Sequence, residues 1–359
     1  MLTGRRRRPA IIRAAVLAAA AIAAIVAAAA FFGLIPGSEN PVSRSADTSQ
    51  ALKVAVVTDA LFDDGGWGTS SLDAAGVVRD RYDFEVTTQD NVSIADIEPT
   101  LTKYAEDGYD LIIAHGVQWG DPAVRVGQHF PNVKIVVFTG LVKSHNVASV
   151  FPMQQEGSFL LGALAGMVTK TNVVGYVGGE EYPNVINVFE GFKQGARTVN
   201  PEVKVVGTYL NDWDNPAKGK EAANSLIRQQ GVDVIFHVAD SSGKGVIEAA
   251  NDNGIYALGA VRDQNPLAPG TVLSSFVLDV EKAYDSAVQS VVNGTFEGKI
   301  AKPGIEASKG ASGEGIVFVA PFHSLNDRVP DRVRVELEKL TLDLVEGRLV
   351  VPERLEAGQ

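Results

Sequence analysis

From Lys53 onward the chain alternates short β-branched runs with segments of helical spacing. The runs are "KVAVVT", "DFEVTT", "DLIIAH", "KIVVFTG" and "VASVF", then "NVVGYVGG", "VKVVGTYL", "DVIFHVA", "IYALGA" and "TVLSSFVL". Between them lie stretches such as "IEPTLTKYAEDG", "EGSFLLGALAGMVTK" and "GKEAANSLIRQQG", whose apolar residues recur near every 3.6 positions. Strand–helix–strand repetition predicts an α/β fold of parallel sheets with helices on both faces. "DLIIAH" is apolar on both faces, as a central parallel strand must be.

The alternation restarts near residue 172, and 359 residues exceed what one small core needs. Two similar lobes side by side form a cleft. Ligands in such sheets sit at the carboxyl ends of the strands. That places "DALFDDGGWG", "AHGVQWGDP", "GGEEYPN", "HVADSSGKG" and "GAVRDQNP" around one cleft. The expected first lobe is residues 52–150 plus about 272–300. The expected second lobe is 151–271 plus about 301–352, with a C-terminal helix.

Ahead of the lobes, residues 1–13 form a basic flank. Residues 14–36 then run 23 positions without a charge. A helix of about 1.5 Å per residue and that length crosses a hydrocarbon layer of roughly 30 Å. The arginine cluster stays on the cytoplasmic side, so the remainder is exported. The run is expected to be a transmembrane anchor at the cell membrane. The alternative is a signal segment cleaved to release a secreted protein. Residues 37–51 read as a polar linker.

Net charge is −11, and the five arginines before residue 37 leave −16 on the rest. That balance excludes a nucleic-acid partner, which needs clustered Lys and Arg. The chain has no cysteine, which removes disulfides, thiolate metal sites and cysteine nucleophiles.

Trp67 and Trp119 each follow a strand end beside glycines, where an aromatic ring can stack on a planar ligand. The alternative is that each covers the apolar face of its own helix. Asp63 and Asp64 can accept from a ring N–H or a hydroxyl, or cap the following helix. Asp240 and Asp263 end strands in the second half, with the same two readings. "VGYVGGEEYPN" is glycine-rich, but two acids follow its glycines and would repel a pyrophosphate, which argues against a dinucleotide cofactor. "GSFLLGALAG" spaces small residues for close helix packing on a sheet. His115 and His237 lie at strand ends, where a ligand bond or a satisfied rim histidine both fit. No HExxH, paired histidines or GxSxG motif occurs, so no catalytic residue, metal or cofactor is expected.

Taken together, "TDALFDDGGWG", "QQEGSFLLGALAGMVTK", "VGYVGGEEYPNVINVFEGFKQGA", "GVDVIFHVADSSGKGVIEAA" and "VFVAPFHSLNDRVPDRVRVELEKLTLDLVEGRLVVP" resemble the basic membrane protein family. These are purine- and nucleoside-binding proteins of ABC importers with the type I periplasmic-binding fold. The resemblance runs from about Lys53 to Pro352. It implies two hinged lobes, a base clamped by aromatics, no enzyme activity, and permease and ATPase partners.

Trp67 stands where many relatives have Phe, and Gly68 where they have Asn. Val261 and Asp263 stand where relatives have two acids. Leu278, followed by Asp279, replaces a family lysine. These positions help hold ribose in nucleoside-binding members, and the "DGGW" loop looks more like a branch associated with free purine bases. The strand-end positions, together with the resemblance, give the expected ligand contacts: Asp64, Trp67, His115, Trp119, Asp240, Asp263 and Asp279. The alternative keeps the fold but makes it an extracellular sensing module.

Overall fold

A computed structural model describes residues 51–305 and 315–356. The basic flank, the uncharged run 14–36 and nearly all of the linker lie outside the described residues. No helix among the described residues is long and apolar enough to cross a membrane.

Ten strands form, all but β9 where β-branched residues cluster: β1 (Lys53–Thr58), β2 (Glu85–Gln89), β3 (Leu111–His115), β4 (Lys134–Phe138), β5 (Val147–Val150), β6 (Val173–Gly178), β7 (Lys204–Tyr209), β8 (Val234–Val238), β9 (Tyr256–Gly259) and β10 (Val272–Leu278). Two short strands follow, β11 (Ile300–Ala301) and β12 (Val317–Val319). The helices are α1 (Trp67–Tyr82), α2 (Ile97–Glu106), α3 (Gly120–His129), α4 (Gln154–Val168), α5 (Pro183–Val199), α6 (Pro216–Gln230), α7 (Asp240–Asp252), α8 (Val280–Val292) and α9 (Asp331–Val345).

The strands make two six-stranded sheets, ordered β11-β5-β4-β3-β1-β2 and β12-β10-β9-β8-β6-β7. The order within β1–β5 matches that within β6–β10, which is the repetition legible near residue 172. All pairings are parallel except β10 with β12, which is antiparallel. In each sheet the first strand lies between the second and third. That is the switch point at which strand-end loops diverge and leave a crevice.

Both faces of each sheet are covered. Alternate residues of β1 enter different cores: Val54 and Val56 pack with α1, while Ala55 and Val57 pack with α2 and α3. This two-sided burial explains why the central strands are continuously apolar. A third core lies between the second sheet and α6 and α7.

The lobe boundaries differ from the expectation at one strand. Val272–Leu278 pairs with β9 in the second sheet, not the first. It is the fifth strand of the repeat, and the chain returns to the first lobe only with α8, which packs on α1. β11 then pairs with β5 in the first sheet, and β12 joins the second. The chain thus passes between the sheets after β5, after β10 and after β11.

The small residues of α4 meet both neighbours. Gly157 faces Phe276 and Val317 of the sheet, while Gly162 and Gly166 face α5. A β-carbon on Gly195 of α5 would lie 1.9 Å from the Phe159 carbonyl oxygen, and one on Gly162 would lie 2.1 Å from that of Phe192. Both obstacles are backbone, so the helices would have to separate. Gly195→Ala is therefore expected to cost about 1–3 kcal/mol of stability. An unchanged urea midpoint would contradict this close approach.

Candidate functional site

The crevice is lined by the loops that leave β1 and β3 on one side and β6, β7 and β8 on the other. The β1 loop is organised by Asp64, which is buried. Its Oδ1 accepts from Gly66 N at 2.7 Å and from Thr69 N and Oγ1, both at 3.1 Å. Its Oδ2 accepts from Gly68 N at 2.7 Å. These N–H groups open α1 and would otherwise lack partners. Asp64 thus performs the capping reading of its sequence position and aims the turn that carries Trp67.

Trp67 is partly buried. Its ring lies 3.9 Å from that of His115 and 5.5 Å from that of Phe138. His115 is fully buried and stacks on Phe138 at 5.0 Å. Its Nδ1 lies 2.8 Å from the Tyr284 hydroxyl, which in turn lies 3.0 Å from Ser71 Oγ. Burial pushes the His115 imidazole down to about 3, opposed by the Trp67 backbone. A neutral histidine therefore backs the tryptophan, tied to α1 and α8.

Trp119 is also fully buried, within the core under α2 and α3. Its Nε1–H donates to Asp59 Oδ1 at 3.4 Å. Asp59, the last residue of "KVAVVTD", was not singled out from the sequence. Burial raises its carboxyl above the ordinary value; hydrogen bonds from its own backbone, Trp119 and Gln118 oppose this, and Asp214 adds to it.

Asp240 begins α7, with φ of 43°. A β-carbon built on Gly66 would lie 3.6 Å from its Oδ1, so it faces the first lobe directly. Its carboxyl is raised well above the ordinary range, mainly by burial and then by Asp64, Asp59 and Asp214. Four carboxylates from two lobes thus share one field. The lobes also touch through Lys244 Nζ, which donates to the Asp63 carbonyl at 3.1 Å, and through Arg262 Nη1, 2.5 Å from Asp73 Oδ2.

Two aromatics that sequence reasoning missed stand on the second lobe. Tyr182 and Trp213 have ring centroids 5.9 Å apart. Burial first, then Glu180 and Asp59, push Tyr182 up to about 12, which puts it within electrostatic reach of the opposite lobe. Trp213 packs against the end of β6, where a β-carbon on Gly179 would be 2.2 Å from its ring. The only signal was the loop after "VKVVGTYL", which belongs to the strand beside the switch point.

Asp263 and Asp279 have partners within the protein, whereas neither ring nitrogen of the buried His237 has one. Asp263 Oδ1 accepts from Asn265 N at 3.1 Å, and Oδ2 lies 2.5 Å from His323 Nε2. Asp279 Oδ1 accepts from Lys282 N at 2.9 Å and caps α8. His237 is buried beneath α7, and burial pushes it down to about 4 against an opposing pull from Gln264.

A family model described as "ABC transporter substrate-binding protein PnrA-like" matches residues 51–341. The chain is 32% identical over 266 residues to a purine-binding protein of Brucella abortus (strain 2308), covering 74% of this chain and 72% of that one. It is 28% identical over 247 residues to the transcriptional activator protein med of Bacillus subtilis (strain 168), covering 68% of this chain and 77% of that one. A solute-binding protein of an ABC transporter system from Aeropyrum pernix K1 shares the fold, with a TM-score of 0.75 at 22% identity. It covers 84% of this chain and 94% of its own.

The two buried histidines set a pH dependence. Unfolded imidazoles take up protons near 6.5, whereas the folded ones wait until about 4 for His237 and about 3 for His115. Their contribution to stability is whole above pH 6.5 and is lost as pH falls toward 4 and then 3. Asp240, being raised, acts in the opposite direction. The histidine share is therefore read by difference. His237→Gln should lower the slope of unfolding free energy between pH 6 and 4.5 by roughly 1 kcal/mol per pH unit. Equal slopes in variant and wild type would exclude this assignment.

Proposed function

Because the chain belongs to the Bmp family of ABC transporter substrate-binding proteins, we propose that it captures an uncharged purine base or nucleoside-like solute between its lobes for delivery to a membrane permease and its ATPase. The family is extracytoplasmic and binds solutes; it is not a family of enzymes. The observation that carries the reading is the composition of the two cleft walls. Trp67 stands on one wall, Tyr182 and Trp213 on the other, and Asp59, Asp64, Asp214 and Asp240 lie about them.

Aromatic rings favour a planar solute, and carboxylates favour one that presents N–H or O–H donors. The same carboxylates repel phosphate, so nucleotides are disfavoured. Asp240 and Trp67 are the proposed direct contacts, with Trp213 as the opposing jaw. Asp64, His115 and Trp119 support the first wall, while Asp263 and Asp279 shape the loops that leave β9 and β10 of the second sheet. Solute contacts to both lobes would shift the population toward the closed form. The name of the Brucella abortus relative supports purine as the solute class.

A second reading makes the same cleft a sensor, favoured by the name of the Bacillus subtilis relative. Loss of labelled purine uptake on deleting the gene supports import; intact uptake with an altered transcriptional response supports sensing.

Thermal shift and calorimetry with guanine, adenosine, AMP and glucose test the solute class. Guanine or adenosine should raise the melting temperature, and AMP should not. Stacking contributes about 1–3 kcal/mol per base, so Trp67→Ala should weaken binding roughly tenfold to a hundredfold with the fold intact. A response to glucose alone, or full affinity in folded Trp67→Ala, would reject the purine clamp.

The uncharged run 14–36 supports membrane attachment of this receptor. The protein should sediment with membranes and keep that run; a mature N-terminus beyond Ala30 on a soluble exported form would show cleavage instead.

A further inference from the structure

The passages between the sheets after β5 and after β11 run side by side. Phe151 N donates to the Ala301 carbonyl at 2.8 Å, and Met153 N to that of Pro303 at 2.9 Å. Bending the lobes apart must twist this pair. Immediately beyond it, the first turn of α4 carries three buried polar residues, Gln154, Gln155 and Glu156. Glu156 Oε2 accepts from Ile305 N at 2.8 Å, which ties the returning passage to the second lobe.

Gln155 points instead to the segment that follows α9. Its Oε1 accepts from Asn187 Nδ2 at 2.8 Å, and its Nε2 lies 3.5 Å from the Val351 carbonyl. Asn187, buried on α5, accepts from Arg354 N at 2.9 Å. Residues 351–354 are thus fastened to the second lobe at two points. Between those points Glu353 projects onto the passage after β11. Both its oxygens accept from Lys302 Nζ at 2.8 Å. Lys302 Nζ also lies 5.8 Å from the Phe151 ring centroid, above the other passage.

We propose that residues 351–354 form a strap across the hinge, clipped by Glu353 and Lys302, which biases the lobes toward the closed arrangement. The bias follows from geometry. The clip is formed in the arrangement in which Arg262 meets Asp73 and Lys244 meets Asp63 across the crevice. One end of the strap is fixed to the second lobe by buried amides, and Lys302 follows the first-sheet strand β11 directly. Any rotation at residues 301–305 changes the Lys302–Glu353 separation. The inference concerns the hinge and does not depend on which solute binds.

The chain has no cysteine, so spin labels can be placed on Asp121→Cys and Ala217→Cys, exposed at the strand-end sides of the two lobes. Interlobe distances are measured in the solute-free full chain. Glu353→Ala and Lys302→Ala should each raise the fraction of long distances, by about two- to fivefold for a partly exposed ion pair. The swap Lys302→Glu with Glu353→Lys should return the distribution toward wild type. Lys299→Ala, which removes the exposed pair with Glu297, should leave it unchanged. An unaltered distribution in Glu353→Ala and Lys302→Ala, even with a lower melting temperature, would make the segment mere packing and overturn the proposal. A shift to shorter distances would overturn it equally.

Discussion

The Asp64 carboxylate accepts from three consecutive-turn amides and a threonine hydroxyl at the opening of α1. Without that anion the glycine-rich turn would present buried, unpaired N–H groups beside the apolar end of β1. Its position decides where Trp67 emerges, and Trp67 in turn covers His115. The chain from Ser71 through Tyr284 to His115 then carries the same constraint from α1 to α8. One wall of the crevice is therefore a set of mutually positioned groups rather than a row of independent contacts.

The opposite wall supplies contrast. Asp240 stands where its own burial and three other carboxylates all disfavour its charge. Such a group is stabilised by a neighbour that brings donors or positive charge. Lys244, one turn further along α7, is turned to the Asp63 carbonyl and holds the lobes together instead. In the proposed reading, electrostatics and stacking act on the same solute, flat and rich in donors.

Motion is confined by the topology. Each lobe has a sheet covered on both faces, and interiors of that density resist bending. Relative movement is left to the passages between sheets. Two of these are paired to each other by backbone hydrogen bonds, and the third begins at the Asp279 cap of α8. Contacts beside these passages, such as Glu156 with Ile305, act where small dihedral changes become large displacements at the cleft.

Much of this architecture is visible in the amino-acid sequence alone. Two-sided burial demands continuous apolar runs, so the central strands can be read directly, the edge strands follow from the alternation, and duplication makes the second lobe legible from the first. The strand-end loops, and with them Asp64, Trp67 and Asp240, follow from the same alternation. The short strands β11 and β12 are not legible, because two or three residues become a strand only when a partner edge is present. For the same reason Val272–Leu278 could not be assigned to its sheet. An aspartate before a helix suits a cap and a ligand equally, and only the tertiary structure shows the capping bonds that Asp64 and Asp279 accept. The meeting of Trp213 with Tyr182, and of Asp59 with Asp240, joins residues distant in the chain. Local sequence determined the elements, because propensity and burial period are local; tertiary structure alone decided which side chains face one another, because that depends on how the chain crosses between its two sheets.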